Sequence, residues 1–198
     1  MQIDNGDTKS KIKIRRSLVT NSDIVLDLFA GNGEMFNSCY SNCKKYTGIE
    51  IKKEIVRDNV VTSDNLSYLD NNGIGDATFV DIDAYGSCAK QFIKVLENCK
   101  SDSLKIVFTD GGKIDAQRRQ SLVKELAHTD NVDPSEKLFC AYYVYDDVLK
   151  RFFAKTCAKN MYHITSFYMT HKDRNQVLYG AMTIETTRQI KINQNKSK

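Results

Sequence analysis

The side chains best suited to chemistry in this 198-residue chain stand at the ends of short apolar runs. Ile24-Val25-Leu26 runs into Asp27, Tyr46-Thr47-Gly48-Ile49 into Glu50, and Val60-Val61-Thr62 into Ser63-Asp64-Asn65. Phe79-Val80-Asp81-Ile82 runs into Asp83, and Ile106-Val107-Phe108 into Thr109-Asp110. In open α/β sheets, ligands sit in the crevice outside the carboxyl ends of the strands, where these groups would gather. Asp27-Leu28-Phe29-Ala30-Gly31-Asn32-Gly33 is the most informative stretch. Glycines two apart let a backbone approach a ligand with no Cβ in the way, and a helix starting beyond them aims free N–H groups at it. Glu50 follows Gly31 by 19 residues, near the ~20 expected of an acid that accepts from ribose hydroxyls. Asp64, with Asn65 beside it, is placed to accept from an adenine amino group. These roles describe an adenosine. The dinucleotide fingerprint G-x-G-x-x-G fits less well, because Phe36 stands at its third glycine.

The elements that must position these groups follow from hydrophobic period. Strands are expected at 24–27, 46–50, 60–62, 77–83 and 104–110, alternating with helical patterns over 34–42, 52–59, 88–98 and 116–128. Ile55 and Val56 are expected to face inward from the second of these helices. Residues 11–18 alternate charge with Ile12 and Ile14, which reads as a short extended segment. A helix over 146–159 carries Val148, Leu149, Phe152, Phe153 and Cys157 on one stripe. It leads to strands at 161–170 and 177–186, joined by the polar turn Lys172-Asp173-Arg174-Asn175 as an antiparallel hairpin. Alternating strands and helices give an α/β fold with a mostly parallel sheet. Residues 1–10 read as a disordered N-terminus, 11–187 as one domain, and 188–198 as a basic tail.

The first motif resembles that of class I S-adenosylmethionine-dependent methyltransferases, in the form common among nucleic-acid-modifying members. Asp83-Ala84-Tyr85-Gly86-Ser87, preceded by Val80-Asp81-Ile82, is similar to the Asp-Pro-Phe-Gly-Ser motif of the tRNA guanine-N2 dimethyltransferases. The resemblance spans most of residues 12–186 and implies a doubly wound, seven-stranded Rossmann-like sheet ending in an antiparallel hairpin. It implies S-adenosyl-L-methionine as cofactor, with Asp27 near its methionine amino group and Arg15, in Ile14-Arg15-Arg16-Ser17-Leu18, binding its carboxylate. Phe29, Ala30, Gly31, Gly33, Glu50, Ile51, Asp64, Asn65 and Asp83 complete the expected cofactor site. The implied reaction is methyl transfer to an exocyclic amino nitrogen of a nucleic-acid base. Such an amine is a weak nucleophile, since its lone pair is delocalised into the ring. Asp83 is expected to accept its hydrogens and act as a proton sink, while Tyr85 stacks on the base.

Two departures qualify the resemblance. Ala84 replaces the proline that presets the motif's backbone, and the family's C-terminal tRNA-gripping domain has no counterpart after the hairpin. A non-catalytic cofactor- or RNA-binding subunit is therefore the alternative, as is a partner subunit that supplies substrate binding. A net charge of +4, with Lys9, Lys11, Lys13, Arg15 and Arg16 near one end and Arg188, Lys191, Lys196 and Lys198 near the other, suits a phosphate backbone or plain solvation. RNA is expected over DNA. The composition, 41% hydrophobic and 27% charged, is that of a soluble globular protein, with no run long enough for a membrane span. The six scattered cysteines read as reduced thiols of a cytoplasmic protein. Cys39 and Cys43 are expected to pack, not to hold a metal. His128, His163 and His171 fall on unrelated elements, and no metal site or triad is expected from them. Tyr142, Tyr143 and Tyr145 are expected in the core.

Overall fold

A computed structural model describes residues 8–171 and 177–187. Seven strands form one sheet in the order β3-β2-β1-β4-β5-β7-β6. They are β1 (Ile24–Asp27), β2 (Lys45–Glu50), β3 (Val60–Thr62), β4 (Phe79–Asp83), β5 (Ser103–Asp110), β6 (Tyr162–His171) and β7 (Leu178–Thr186). The strands β1 to β5 pair in parallel, and β7 lies antiparallel between β5 and β6. Such pairing follows from composition, since the inner strands are runs of Val, Ile, Leu and Phe buried on both faces. The turn that joins β6 to β7 lies outside the described residues, as do residues 1–7 and 188–198.

The sheet has two unequal apolar faces. On the larger, Leu26, Val80, Ile106 and Phe108 pack beneath α2 (Asn65–Asn72), α3 (Ala89–Asn98) and α6 (Ala141–Lys159). Phe92 of α3 meets Phe153 of α6 with ring centroids 4.6 Å apart, and Phe153 meets Phe108 at 4.8 Å. The stripe expected on α6 is buried, and the helix begins earlier than its sequence pattern, taking in Tyr142, Tyr143 and Tyr145, of which Tyr145 is core as expected, Tyr142 half-buried and Tyr143 exposed instead. On the smaller face, Val25, Phe79, Val107 and Ala181 pack beneath α1 (Thr8–Leu18) and a π-helical turn, Phe36–Tyr40.

Three expectations are corrected. First, α1 is a helix, where 11–18 reads as extended and 8–10 as disordered. The reason is electrostatic: a helix repeats a side chain every ~6 Å at i, i+4, while a strand repeats one every ~6.6 Å at i, i+2. Lys11 and Arg15 thereby lie over Asp83 and Asp81. Second, 52–59 forms turns, not a helix, and Val56 is 84% exposed instead of inward-facing. Third, the helix expected over 116–128 is two, α4 (Gly112–Arg119) and α5 (Lys124–Thr129). Gln120, at φ 54° in the left-handed region, ends the first of them.

Candidate active site

Three carboxylates share the α1 face of the sheet. Asp27 and Asp81 are register partners on β1 and β4, and Asp83 lies two residues beyond Asp81. Asp81 is wholly buried and accepts from Arg15 Nε at 2.6 Å, from Arg15 Nη2 at 2.7 Å and from Tyr40 Oη at 2.6 Å. Arg15 is 1% exposed, so the guanidinium expected to meet a cofactor carboxylate is engaged inside the protein. Asp27 accepts from the Phe29 amide at 3.0 Å and from Tyr46 Oη at 2.8 Å. Burial, followed by the charge of Asp81, pushes its carboxyl up to about 7. Tyr46 reaches Asp27 because Gly48 brings no Cβ against its hydroxyl.

Asp83 stands at the end of β4 with its carboxylate gripped by Lys11 Nζ at 2.7 and 2.9 Å and with Arg15 Nη2 at 3.8 Å. Burial raises its pKa, but Arg15 and Lys11 outweigh that and hold it below the usual carboxylate value. A carboxylate in this state accepts hydrogen bonds and is a poor proton sink. Beyond it Ala84 is buried and Tyr85 is 83% exposed, its ring open to stack on a flat partner.

Asp110 holds the Tyr85 loop in place. Its buried carboxylate accepts from the amides of Cys88 and Gly112, both at 2.9 Å, from Tyr145 Oη at 2.7 Å and from Ser87 Oγ at 3.1 Å. Gly111 and Gly112 permit this approach, since a Cβ on the first would press on the Tyr85 carbonyl and one on the second on the Tyr145 hydroxyl. Nearby, Asp146 joins His171 Nε2 at 2.6 Å and Lys113 Nζ at 2.8 Å, and the ammonium lies over the Tyr142 ring. His171 thus belongs to a cluster that its sequence context does not announce.

The glycine loop has the backbone a ligand cradle needs. Gly31 and Gly33 have φ of +46° and +88°, and the space beside Gly31 is open to within 3.9 Å of the Phe29 carbonyl. The Gly31 amide donates to Glu50 at 2.9 Å, and the other Glu50 oxygen accepts from the Lys52 amide at 3.0 Å. Ile51 is 65% exposed beside it. Asp64 caps α2, with Oδ1 accepting from the Ser67 amide at 2.9 Å, and Asn65 accepts from Gln91 at 3.2 Å. Beside Gly33, however, lies the Arg57 guanidinium, which donates to the carbonyls of Ala30 at 3.2 Å and Gly31 at 2.9 Å. The fold thus gathers Asp27, Phe29, Ala30, Gly31, Gly33, Glu50 and Ile51 at the carboxyl ends of β1 and β2, and Asp83 and Tyr85 at the carboxyl end of β4, the neighbour of β1. Arg15 is held beneath them.

Several contributors lack a sequence signal strong enough to single them out. Asp81 has one: two residues before Asp83 on a strand, it must share that residue's face and demand a buried cation. For Arg57, Tyr40 and Lys11 there is none.

No family model and no curated protein matches the sequence. Solved structures match through their fold. TYW2 of M. jannaschii in complex with AdoMet is 17% identical, with a TM-score of 0.59 over 94% of this chain and 78% of that one. Trm1 of Pyrococcus horikoshii with S-adenosyl-L-methionine is 15% identical, at TM-score 0.62 over 91% and 55%. A tRNA m1G37 methyltransferase of M. jannaschii is 14% identical, at 0.51 over 90% and 48%. The fold is that of the class I methyltransferases. The chain spans about half the length of the last two. Among the described residues no helix is long and apolar enough to cross a membrane, and no group of three or more side chains could hold a metal.

Proposed function

We propose that the chain is an S-adenosylmethionine-dependent methyltransferase acting on an amino nitrogen of a nucleic-acid base, RNA in preference to DNA. The observation that carries this reading is the pairing, at the carboxyl ends of β1 and β4, of a positive-φ glycine loop after Asp27 with an Asp83 held by Lys11 and followed by an exposed Tyr85. The residues present fit such a cofactor: Glu50 for ribose hydroxyls, exposed Ile51 for an adenine face, open space at Gly31 for close backbone approach. Arg57 has to swing away from Gly33 to complete the cradle. When bound, the cofactor supplies a methyl group made electrophilic by its sulfonium. Asp83 accepts the hydrogens of the target amine, Tyr85 holds the base flat, and Asp110 fixes the loop that joins them, so that the chain acts mainly by positioning. Because Asp83 is held at low pKa, the proton released passes to solvent. The 11–187 stretch, extended at its start by the first turn of α1, forms this domain, doubly wound and working in the cytoplasm.

Methyl transfer from labelled cofactor to separate RNA, DNA and protein pools tests the reading. Label in RNA that disappears in Asp83→Ala, with S-adenosylhomocysteine binding retained, is the expected result. Label in protein alone, or none with cofactor still bound, would overturn it. The grip of Lys11 on both Asp83 oxygens favours a second reading, a cofactor- or RNA-binding subunit without turnover of its own. A tRNA m1G37 methyltransferase among the structures of like fold raises a ring nitrogen as acceptor. Digestion of labelled RNA to nucleosides separates amino from ring methylation.

A further inference from the structure

Helix α1 divides its cations between two faces. Lys11 and Arg15 turn inward to Asp83 and Asp81, while Lys9, Lys13 and Arg16 stand exposed on the outer side at i, i+4 and i+7. Arg16 is steadied by donating from Nε to the Ser38 carbonyl at 2.9 Å. Lys9 and Lys13 are separated by about 6 Å along the helix. Next to this stripe a groove of about 540 Å³ runs between α1 and the edge strand β6. Lys13 and Ser17 line one wall, Tyr168, Ser166 and Thr170 the other, and Ala181 lies among its lining residues. Tyr168, the register partner of Ala181, is 55% exposed there. A chain of contacts runs from the candidate active site to the groove wall. Lys11 links Asp83 to Tyr179, lying 5.8 Å over that ring, and Tyr179 pairs with Thr170 of the groove wall.

Cations spaced along a helix beside an exposed ring and hydroxyl groups make an electrostatic track with a stacking platform, and unpaired bases are what such a surface reads. We infer that the α1–β6 groove seats a single-stranded RNA segment flanking the target nucleotide, with a base stacked on Tyr168 and phosphates along Lys9, Lys13 and Arg16. This rests on the nucleic-acid reading above and adds where the polymer runs. The stripe supplies affinity without sequence, and Tyr168 selects for single strands because a duplex keeps its base faces covered.

The test measures binding of a short single-stranded RNA, its duplex and anionic vesicles across a salt series, alongside calorimetry with S-adenosylhomocysteine. The wild type should prefer the single strand. Lys9→Glu/Lys13→Glu should weaken binding by at least ~10-fold and flatten the slope of log K against log salt by about 1.4, ~0.7 for each phosphate that is no longer neutralised. Tyr168→Ala should cost ~10-fold with the slope unchanged, and Tyr168→Phe should restore affinity. S-adenosylhomocysteine affinity should be the same in all four proteins. RNA bound equally by wild type and variants would overturn the groove and leave the methyltransferase reading standing. Tighter binding to duplex or to vesicles would also overturn it. A wild type that binds S-adenosylhomocysteine but no RNA would overturn both the groove and the RNA substrate.

Discussion

Arg15 and Asp81 form a two-pronged ion pair inside the protein, with hydrogen bonds of 2.6 and 2.7 Å and almost no exposed surface on either side chain. The pair pins α1 to β4 directly under the candidate site. Removing one member of a buried pair leaves an uncompensated charge, whereas replacing both with apolar groups removes the desolvation cost as well. Arg15→Met should therefore cost about 3–5 kcal/mol in urea unfolding, and Arg15→Met/Asp81→Leu much less. A cost below about 1 kcal/mol for the single change would mean that water reaches Asp81.

Asp27 gives the protein a pH signature. Its folded pKa is raised, to about 7, so between the unfolded value of 3.8 and about 7 the native state holds a proton that the unfolded chain has lost. Stability from this group then falls as pH rises through that window and is level above it. Asp83 has the opposite sign: its depressed pKa adds stability that is present above the ordinary carboxylate value and lost as pH falls through the folded one. Asp27→Asn isolates the first effect. Relative to the wild type it should gain stability between pH 5 and 8 by no more than about 3 kcal/mol, followed by denaturant midpoints at each pH. A constant difference across that range would show that Asp27 is ionised throughout.

Tyr145 reaches from α6 to Asp110 and so ties the late helix to the Tyr85 loop. Tyr145→Phe deletes one of four hydrogen bonds to a buried carboxylate and should cost about 1.5–3 kcal/mol, since bonds to charged groups are the stronger kind. Asp110→Leu removes the anchor altogether and leaves the amides of Cys88 and Gly112 without their acceptor. Methyl transfer should suffer more than cofactor affinity in both variants, because the loop carries Tyr85 and the cradle lies on β1 and β2. An equal loss in both readouts would place the effect in global stability.

How much of this was legible in the sequence depends on where the determining contacts lie. The sheet was legible because parallel strands buried on both faces are runs of Val, Ile and Phe, and their limits fall within two residues of the expected ones. The strand-end acids were legible for the same reason. Helix α1 was not, because Lys11 to Arg16 satisfies a strand period locally, and only the carboxylates at 81 and 83 select the helical one. The turns at 52–59 escaped because Ile55 and Val56 look like a buried pair, whereas Ile55 is only partly covered and Val56 stands exposed. Tyr145 reads as core and is buried, but its hydrogen bond to a carboxylate 35 residues away has no local mark.

Arg57 occupies the place where a side chain on Gly33 would begin, and it donates to two carbonyls of the glycine loop. Two distinct costs therefore fall on Gly33→Ala: a φ of +88° that an L-residue rarely adopts, and overlap with a guanidinium. The first costs about 1–3 kcal/mol and stays whatever happens to Arg57. The second is relieved when Arg57 is shortened. Gly33→Ala should thus be destabilised beyond the backbone strain alone, and Gly33→Ala/Arg57→Ala should recover part of that loss. Cofactor binding resolves what Arg57 does in the cradle. If its guanidinium must leave before a ligand can approach Gly33, Arg57→Ala should bind S-adenosylhomocysteine more tightly than the wild type does, by calorimetry at neutral pH. Weaker binding in Arg57→Ala would instead make the guanidinium a direct partner of the bound cofactor.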